Sequence, residues 1–212
     1  MGEKIQKLFE IIRRGILEII YPREGNCIIC KKEEAQGLCK KCRDRIVKSK
    51  DNENYIGYYK GPLKELILKL KYKKDFEAGD ILVDLLEDKL KNFDNKYYFT
   101  YIPIGKESLK IRHFNQCEYI AKELAFRKNT KAVNTLKRVK ETKTQKTLRK
   151  EERYKNLKGA FEAIDKGLIE GKSFILIDDV CTTGATISEG MSVLTKNGSL
   201  EVKVLFVAKS NI

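Results

Sequence analysis

The chain has 212 residues, enough for one large domain or one domain with a small appendage, and its 42% hydrophobic content suffices for a core. Its 44 Lys and Arg against 30 Asp and Glu leave a formal charge of +14, which favours phosphate-rich partners: a diphosphate, nucleic acid or an acidic membrane face. No uncharged run approaches the length of a membrane-crossing helix, which excludes a transmembrane reading, and the charges between residues 4 and 14 interrupt any signal-peptide core. A cytoplasmic protein is expected, with its six cysteines reduced or metal-bound. A lysine-rich solvated surface accounts for the same charge, so local clustering carries more weight than the total.

Ile5, Leu8, Phe9, Ile12, Ile16, Ile19 and Ile20 fall on one helical face, closed by Pro22 and Gly25. The stripe is read as packing on the protein itself, with partner docking or membrane contact as the lesser alternative. Next come Cys27-Ile-Ile-Cys30 and Cys39-Lys-Lys-Cys42, with eight residues between the pairs. Each CxxC turn points two thiolates at one tetrahedral ion, so a structural zinc with no open position for water is expected. A disulfide framework is the alternative on spacing alone. The same knuckle presents Lys31, Lys32, Lys40, Lys41, Arg43 and Arg45 to a phosphate backbone. A polar break at residues 51–54 sets the expected boundary between an N-terminal unit, 1–50, and the main domain, 51–212.

Residues 55–60 read as a short strand. Pro62 opens a helix carrying Leu63, Leu66, Ile67 and Leu70, and a second helix carries Phe76, Ile81, Leu82, Leu85, Leu86 and Leu90. Residues 96–104 read as the first strand of a parallel unit, running into Pro103-Ile104-Gly105-Lys106. Asn115 with Glu118 has the form of a capping box for a helix that buries Cys117, Ile120, Ala121, Leu124 and Ala125. The lone histidine, His113, is read as structural. Residues 132–139 read as another strand. Between 137 and 158 stand ten basic and three acidic residues, half of the net positive charge. A mobile loop with a partly helical end is expected there, a disordered insertion or a nucleic-acid contact being the alternatives.

Order returns at Gly159-Ala160-Phe161, and Gly171 leads into residues 174–187, Phe-Ile-Leu-Ile-Asp-Asp-Val-Cys-Thr-Thr-Gly-Ala-Thr-Ile. Four apolar residues suit a strand buried on both faces. Asp178 and Asp179 stand at its carboxyl end, where a ribose diol would lie if its 5′-phosphate occupied the loop beyond. That loop, Thr182, Thr183, Gly184, Ala185 and Thr186, opens a helix whose unpaired N–H groups and dipole suit a phosphate. Gly184 lets the backbone approach it. The Gly-Lys-Ser/Thr ending of a P-loop is missing. A plain strand-turn-helix corner is the alternative, but paired acids at a strand end are costly as decoration. Cys181 is read as a packed thiol in preference to an activated one. The helix that follows carries Ile187, Met191 and Leu194 and stops at Asn197-Gly198, before a last buried strand at 202–207. Strands alternating with helices predict an α/β fold, a doubly wound and mainly parallel sheet with ligand over the carboxyl ends of its strands.

Residues 174–187 resemble the phosphoribosyl-diphosphate (PRPP) motif of type I phosphoribosyltransferases, and the chain as a whole resembles the ComF (ComFC) family of competence-associated proteins. The likeness runs nearly end to end: the apolar first helix and Pro22, the four-cysteine knuckle, residues 58–72, Arg112-His113-Phe114-Asn115-Gln116, Thr144-Gln145 with Arg153, Asn156 and Phe161, and the PRPP motif. The family's run is Arg-Gly-Phe-Asn-Gln, with His113 here in the glycine's place. The resemblance implies PRPP or a related sugar phosphate as ligand, with Mg²⁺, and single-stranded DNA handled during natural transformation. It implies Asp178 and Asp179 as the catalytic acids on the ribose hydroxyls, directly or through the metal. Cys181, Thr182, Thr183, Gly184, Ala185 and Thr186 would hold the 5′-phosphate, and Gly105, Lys106 and Arg112 the diphosphate. The basic loop would close over it, with Lys143, Lys146 and Arg149 meeting DNA. Cys27, Cys30, Cys39 and Cys42 would hold the structural zinc, and competence-machinery proteins are candidate partners. Two alternatives stay open: a metabolic enzyme moving ribose 5-phosphate from PRPP to a nucleobase or amine, and a binding module without turnover.

Overall fold

The computed structural model describes residues 12, 15, 16, 25–50, 53–91, 93, 94, 96–140 and 157–210. Most of the expected first helix lies outside the described residues, as do Lys143, Lys146, Arg149, Thr144, Gln145, Arg153 and Asn156. The described elements begin with the short helix α1 (Lys40–Asp44) in the knuckle and strand β1 (Tyr55–Tyr58). Helices α2 (Gly61–Lys73) and α3 (Phe76–Glu87), strand β2 (Tyr97–Tyr101) and helices α4 (Lys106–Arg112) and α5 (Gln116–Arg127) follow. Strands β3 (Leu136–Arg138), β4 (Phe161–Ala163) and β5 (Ser173–Cys181), helix α6 (Ala185–Lys196) and strand β6 (Glu201–Lys209) complete the order.

Four strands make one parallel sheet in the order β1-β6-β5-β2. Strand β5 sits inside it, and its apolar run divides between two cores. Ile175 and Ile177 pack with side chains of α2, α3 and α5, while Phe174 and Leu176 pack with α6 and the β3–β4 pair. All four are at most 1% exposed, and each such side chain contributes about 1.5–3 kcal/mol of gross burial energy. Helix α6 approaches β5 closely because residue 190 is glycine: a Cβ there would lie 2.9 Å from Ile102 Cδ1 and 3.1 Å from Leu176 Cδ2.

The strand expected at 132–139 divides instead. Ala132 forms a single parallel bridge to Phe99, and the backbone then turns so that β3 pairs antiparallel with β4 in a separate two-stranded sheet. Its apolar residues serve different cores as a result: Ala132 packs in the first, Leu136 in the second.

Local chemistry fixes the corners. Asp75 caps α3 by accepting from Ala78 N–H at 3.1 Å, directly after Lys74 ends α2 in the left-handed region at φ 52°. The knuckle joins the sheet edge, since Tyr58 N–H donates to Val47 O at 3.0 Å and Ser49 N–H to Ile56 O at 2.9 Å. Gly57 makes that approach feasible, because a Cβ would meet Val47 O at 2.2 Å. Cys27, Ile28, Leu38, Cys42 and Ile46 belong to the same apolar cluster as α2 and α3.

Candidate functional site

Asp178 and Asp179 lie in the last stretch of β5, just before Val180 and Cys181 at the carboxyl edge of the sheet, and three other elements converge on them. Lys71, from the last turn of α2, places Nζ 2.7 Å from Asp179 Oδ2. Gln116, at the start of α5, donates its side-chain amide to the same oxygen. Arg112, ending α4, donates to Gln116 Oε1 at 3.0 Å and lies 5.1 Å from the ring centre of exposed Tyr72. The buried Cys117 thiol donates to Asp178 Oδ1 at 3.8 Å, and Asp178 also accepts from Asp179 N–H at 2.9 Å.

These contacts drive the two acids apart. Burial, then the neighbouring Asp179 charge, push Asp178 up to about 7. Burial opposes the charge on Asp179 as well, but Lys71, Gln116 and Arg112 outweigh it and hold that carboxyl below its ordinary value. Burial would lower Lys71, yet Asp179 raises it on balance. The Cys117 thiol is pushed well up by burial and by both carboxylates, so it stays protonated as a donor. One acid that keeps a proton near neutrality beside one that stays ionised is an arrangement suited to divided roles. The ligand atoms of Cys117, Asp178 and Asp179 lie within 4.8 Å of one another. The carboxylate oxygens are the hard donors that Mg²⁺ takes; a protonated thiol is not.

The predicted phosphate loop runs on directly. Gly184 caps α6 at φ 80°, a left-handed conformation that favours glycine, and Thr183 Oγ1 accepts from Ala185 N–H at 3.4 Å. Cys181, Thr182, Thr183, Gly184 and Thr186 are half-buried and Ala185 is buried. The Cys181 thiol is raised by burial and by Asp178, against Lys209 and the Gly184 N–H, so it is not activated. The loop after β2 leaves the same edge, since Tyr101 pairs with Ile177 in parallel register. There Gly105 is the N-cap of α4 and Lys106, exposed, its first residue. Helix α4 buries none of its residues.

His113 ends α4 at φ 62° and is exposed, with its N–H on Leu109 O at 2.7 Å. A left-handed residue is needed here, which gives a physical reason for the glycine of the family's run. Asn115 then locks the turn: Oδ1 accepts from Cys117 N–H at 2.9 Å, and Nδ2 donates to Ile102 O at 2.9 Å. Glu118, expected to complete the capping box, pairs with Lys122 at 2.8 Å. A surface concavity lined by Gly184, Ser188, Met191, Ser192, Thr195 and Lys196 runs along α6 and shares only Gly184 with this site.

The four predicted zinc ligands do come together. Their sulfurs lie within 4.8 Å of one another, and Cys30 Sγ stands 3.6 Å from Cys39 Sγ. Sulfurs held about 2.3 Å from one tetrahedral ion stand about 3.8 Å apart, whereas a disulfide needs about 2.05 Å. Cys39 N–H and Cys42 N–H donate to Cys27 Sγ and Cys39 Sγ, each at 3.4 Å. The set can hold a zinc ion.

Lys71 was not expected. Its signal lay in the sequence as a lysine four residues after Ile67, on the flank of the apolar stripe of α2. Gln116 was visible only within the run 112–116, and Cys117 only as a core residue.

The family model described as phosphoribosyl transferase domain matches residues 120–211. Competence protein F of Haemophilus influenzae is 30% identical over 219 aligned residues, covering 93% of this chain and 95% of that protein. Competence protein ComFC of Streptococcus pneumoniae is 27% identical, covering 88% and 81%. The DNA utilization protein YhgH of Escherichia coli is 30% identical over 159 residues, covering 70% and 68%. The parallel sheet flanked by helices, with this domain match, is the type I phosphoribosyltransferase fold.

Proposed function

Because the chain belongs to the ComF family of competence proteins, we propose that it binds PRPP or a related sugar phosphate with Mg²⁺ and handles single-stranded DNA during natural transformation. The observation that carries the reading is the junction of β5 and α6. Two carboxylates, one half-buried and one buried, stand near the carboxyl end of a strand packed on both faces, and a glycine-capped helix N-terminus begins five residues after the second. Thr182, Thr183, Gly184, Ala185 and Thr186, with Cys181, would cradle the 5′-phosphate. Asp178 and Asp179 would hold the ribose hydroxyls, and Gly105, Lys106 and Arg112 the diphosphate. The two carboxylates would hold Mg²⁺, which when bound offsets the charge of a departing pyrophosphate. If transfer occurs, the C1–O bond breaks with its electron pair leaving on pyrophosphate, and the ionised Asp179 stabilises the positive sugar electrostatically. The lone pair of a nucleophilic acceptor forms the new bond to C1 as its proton passes to solvent.

The DNA role draws support from the names of the relatives and from the surface. Lys31, Lys32, Lys40, Lys41, Arg43 and Arg45 of the knuckle are all exposed. Arg112 over Tyr72 offers a stacking plane beside the carboxylates. Lys143, Lys146 and Arg149 would add phosphate contacts. The zinc on Cys27, Cys30, Cys39 and Cys42 would be structural, holding a 1–50 unit to a 51–212 domain. The protein is placed in the cytoplasm on this reading, with competence-machinery proteins as partners. Among the described residues no helix is long and apolar enough to cross a membrane.

Calorimetric titration of PRPP with Mg²⁺ tests the central part. Asp179→Asn should weaken binding about 10- to 100-fold. A wild-type protein that takes up no PRPP contradicts the reading. Oligonucleotide affinity should fall steeply with salt and weaken when Lys143, Lys146 and Arg149 are neutralised. Turnover of PRPP with free nucleobases or amines, together with salt-independent or absent oligonucleotide binding, would favour the metabolic alternative.

A further inference from the structure

Lys71 borders a helix face made for burial. Leu63, Leu66, Ile67 and Leu70 of α2 are all buried, and the Lys71 side chain beyond them is only 14% exposed. Its neighbours behave as ordinary surface lysines: Lys73 is exposed, and Lys69 pairs with Asp75 at 3.5 Å. Lys71 turns inward to Asp179, itself 11% exposed at the side chain, where Gln116 reaches the same oxygen. Two ions are withdrawn from water together, which is tolerable only while each has the other.

This pairing limits what can enter. A lone divalent cation drawn to Asp178 and Asp179 would meet the ammonium of Lys71 at short range, with Arg112 close behind. Displacing Lys71 would strand a charge inside the molecule. A cation arriving with a sugar diphosphate differs, because the diphosphate oxygens offer Lys71 and Arg112 new anionic partners. We propose that Lys71 is a resident counter-cation that competes with divalent metal for Asp179, so that the site admits the metal together with an anionic sugar diphosphate and rejects it alone. The diphosphate half rests on the sugar-phosphate reading above; the competition with metal does not.

Mn²⁺ uptake, followed by the loss of its free electron-spin signal in the zinc-loaded protein without any sugar, provides the test. Wild type and the exposed-site control Lys73→Met should take up Mn²⁺ weakly. Lys71→Gln keeps a hydrogen-bonding group toward Asp179 without the charge, and should bind Mn²⁺ at least about tenfold more tightly. Lys71→Gln with Asp179→Asn, which leaves no orphan charge and guards against misfolding of the single variant, should lose that gain. The proposal is overturned if Lys71→Gln matches wild type, or if the double variant binds Mn²⁺ as well as Lys71→Gln. A second titration adds PRPP: wild type should gain Mn²⁺ affinity sharply, Lys71→Gln much less, and equal gains in both would overturn the coupling. Tight Mn²⁺ uptake by Lys71→Gln with no PRPP binding to any form would sink the sugar-phosphate reading and leave the competition standing.

Discussion

The cysteine knuckle and the carboxylate cluster each converge several functional side chains on one small volume, but they are assembled in opposite ways. The knuckle takes its four thiols from residues 27–42, one short loop closed at small entropic cost. The cluster draws Lys71, Arg112, Gln116, Cys117, Asp178 and Asp179 from α2, α4, α5 and β5, which meet only when the sheet is formed. A local ligand set is written in its spacing; a long-range one is written in the packing. The two regions are nonetheless mechanically joined, because the knuckle and α2 share one core and residues 47–49 pair with β1.

The largest effect that would break the comparison falls on the local set. Cys27 is fully buried, and Cys27→Ser should abolish the one zinc expected per chain and lower the Tm by more than about 10 °C. Metal analysis and calorimetry check this, and a metal-free variant of unchanged Tm would remove the zinc from the account.

Next comes the joint between the regions. Gly57→Ala forces a methyl into Val47 O at 2.2 Å and should cost about 3 kcal/mol, a Tm loss of about 6–12 °C in a single transition. Two separate transitions, with PRPP binding intact in the main domain, would show that knuckle and sheet unfold independently.

The smallest effect belongs to the long-range set. Asp178 has its pKa raised on folding, from 3.8 to about 7, so the folded protein holds a proton that the unfolded chain releases. Its contribution is therefore present at low pH, declines as pH rises between those values, and is gone above about 7. Asp178→Asn removes that penalty, and the Tm of the variant relative to wild type should rise by a few degrees from pH 5 to pH 8. A flat difference would mean that Asp178 is ionised throughout.

How much of this was readable follows the same division. The CxxC pairs gave the knuckle outright, and the apolar run 174–177 gave a strand buried on both faces because both of its faces truly pack. Asp178 and Asp179 were visible as a pair, but not the separation of their proton affinities, which depends on Lys71 across the site. Residues 132–139 misled because strand patterning says nothing about which partner a segment finds. Asn115 was rightly seen as a cap, yet its second hydrogen bond, to Ile102 O, belongs to tertiary structure. His113 carries a left-handed backbone that its side chain does not announce.

The central claim is that phosphate and ribose settle at the carboxyl end of β5 and not on the knuckle. Backbone amide shifts of the ¹⁵N-labelled, zinc-loaded protein, recorded while PRPP and Mg²⁺ are added, address it most directly. The account predicts large displacements at Gly184, Ala185 and Thr186 and at Asp178 and Asp179, with Cys30 and Cys39 unmoved. Displacements confined to the knuckle, or none at Gly184 under saturating ligand, would contradict it.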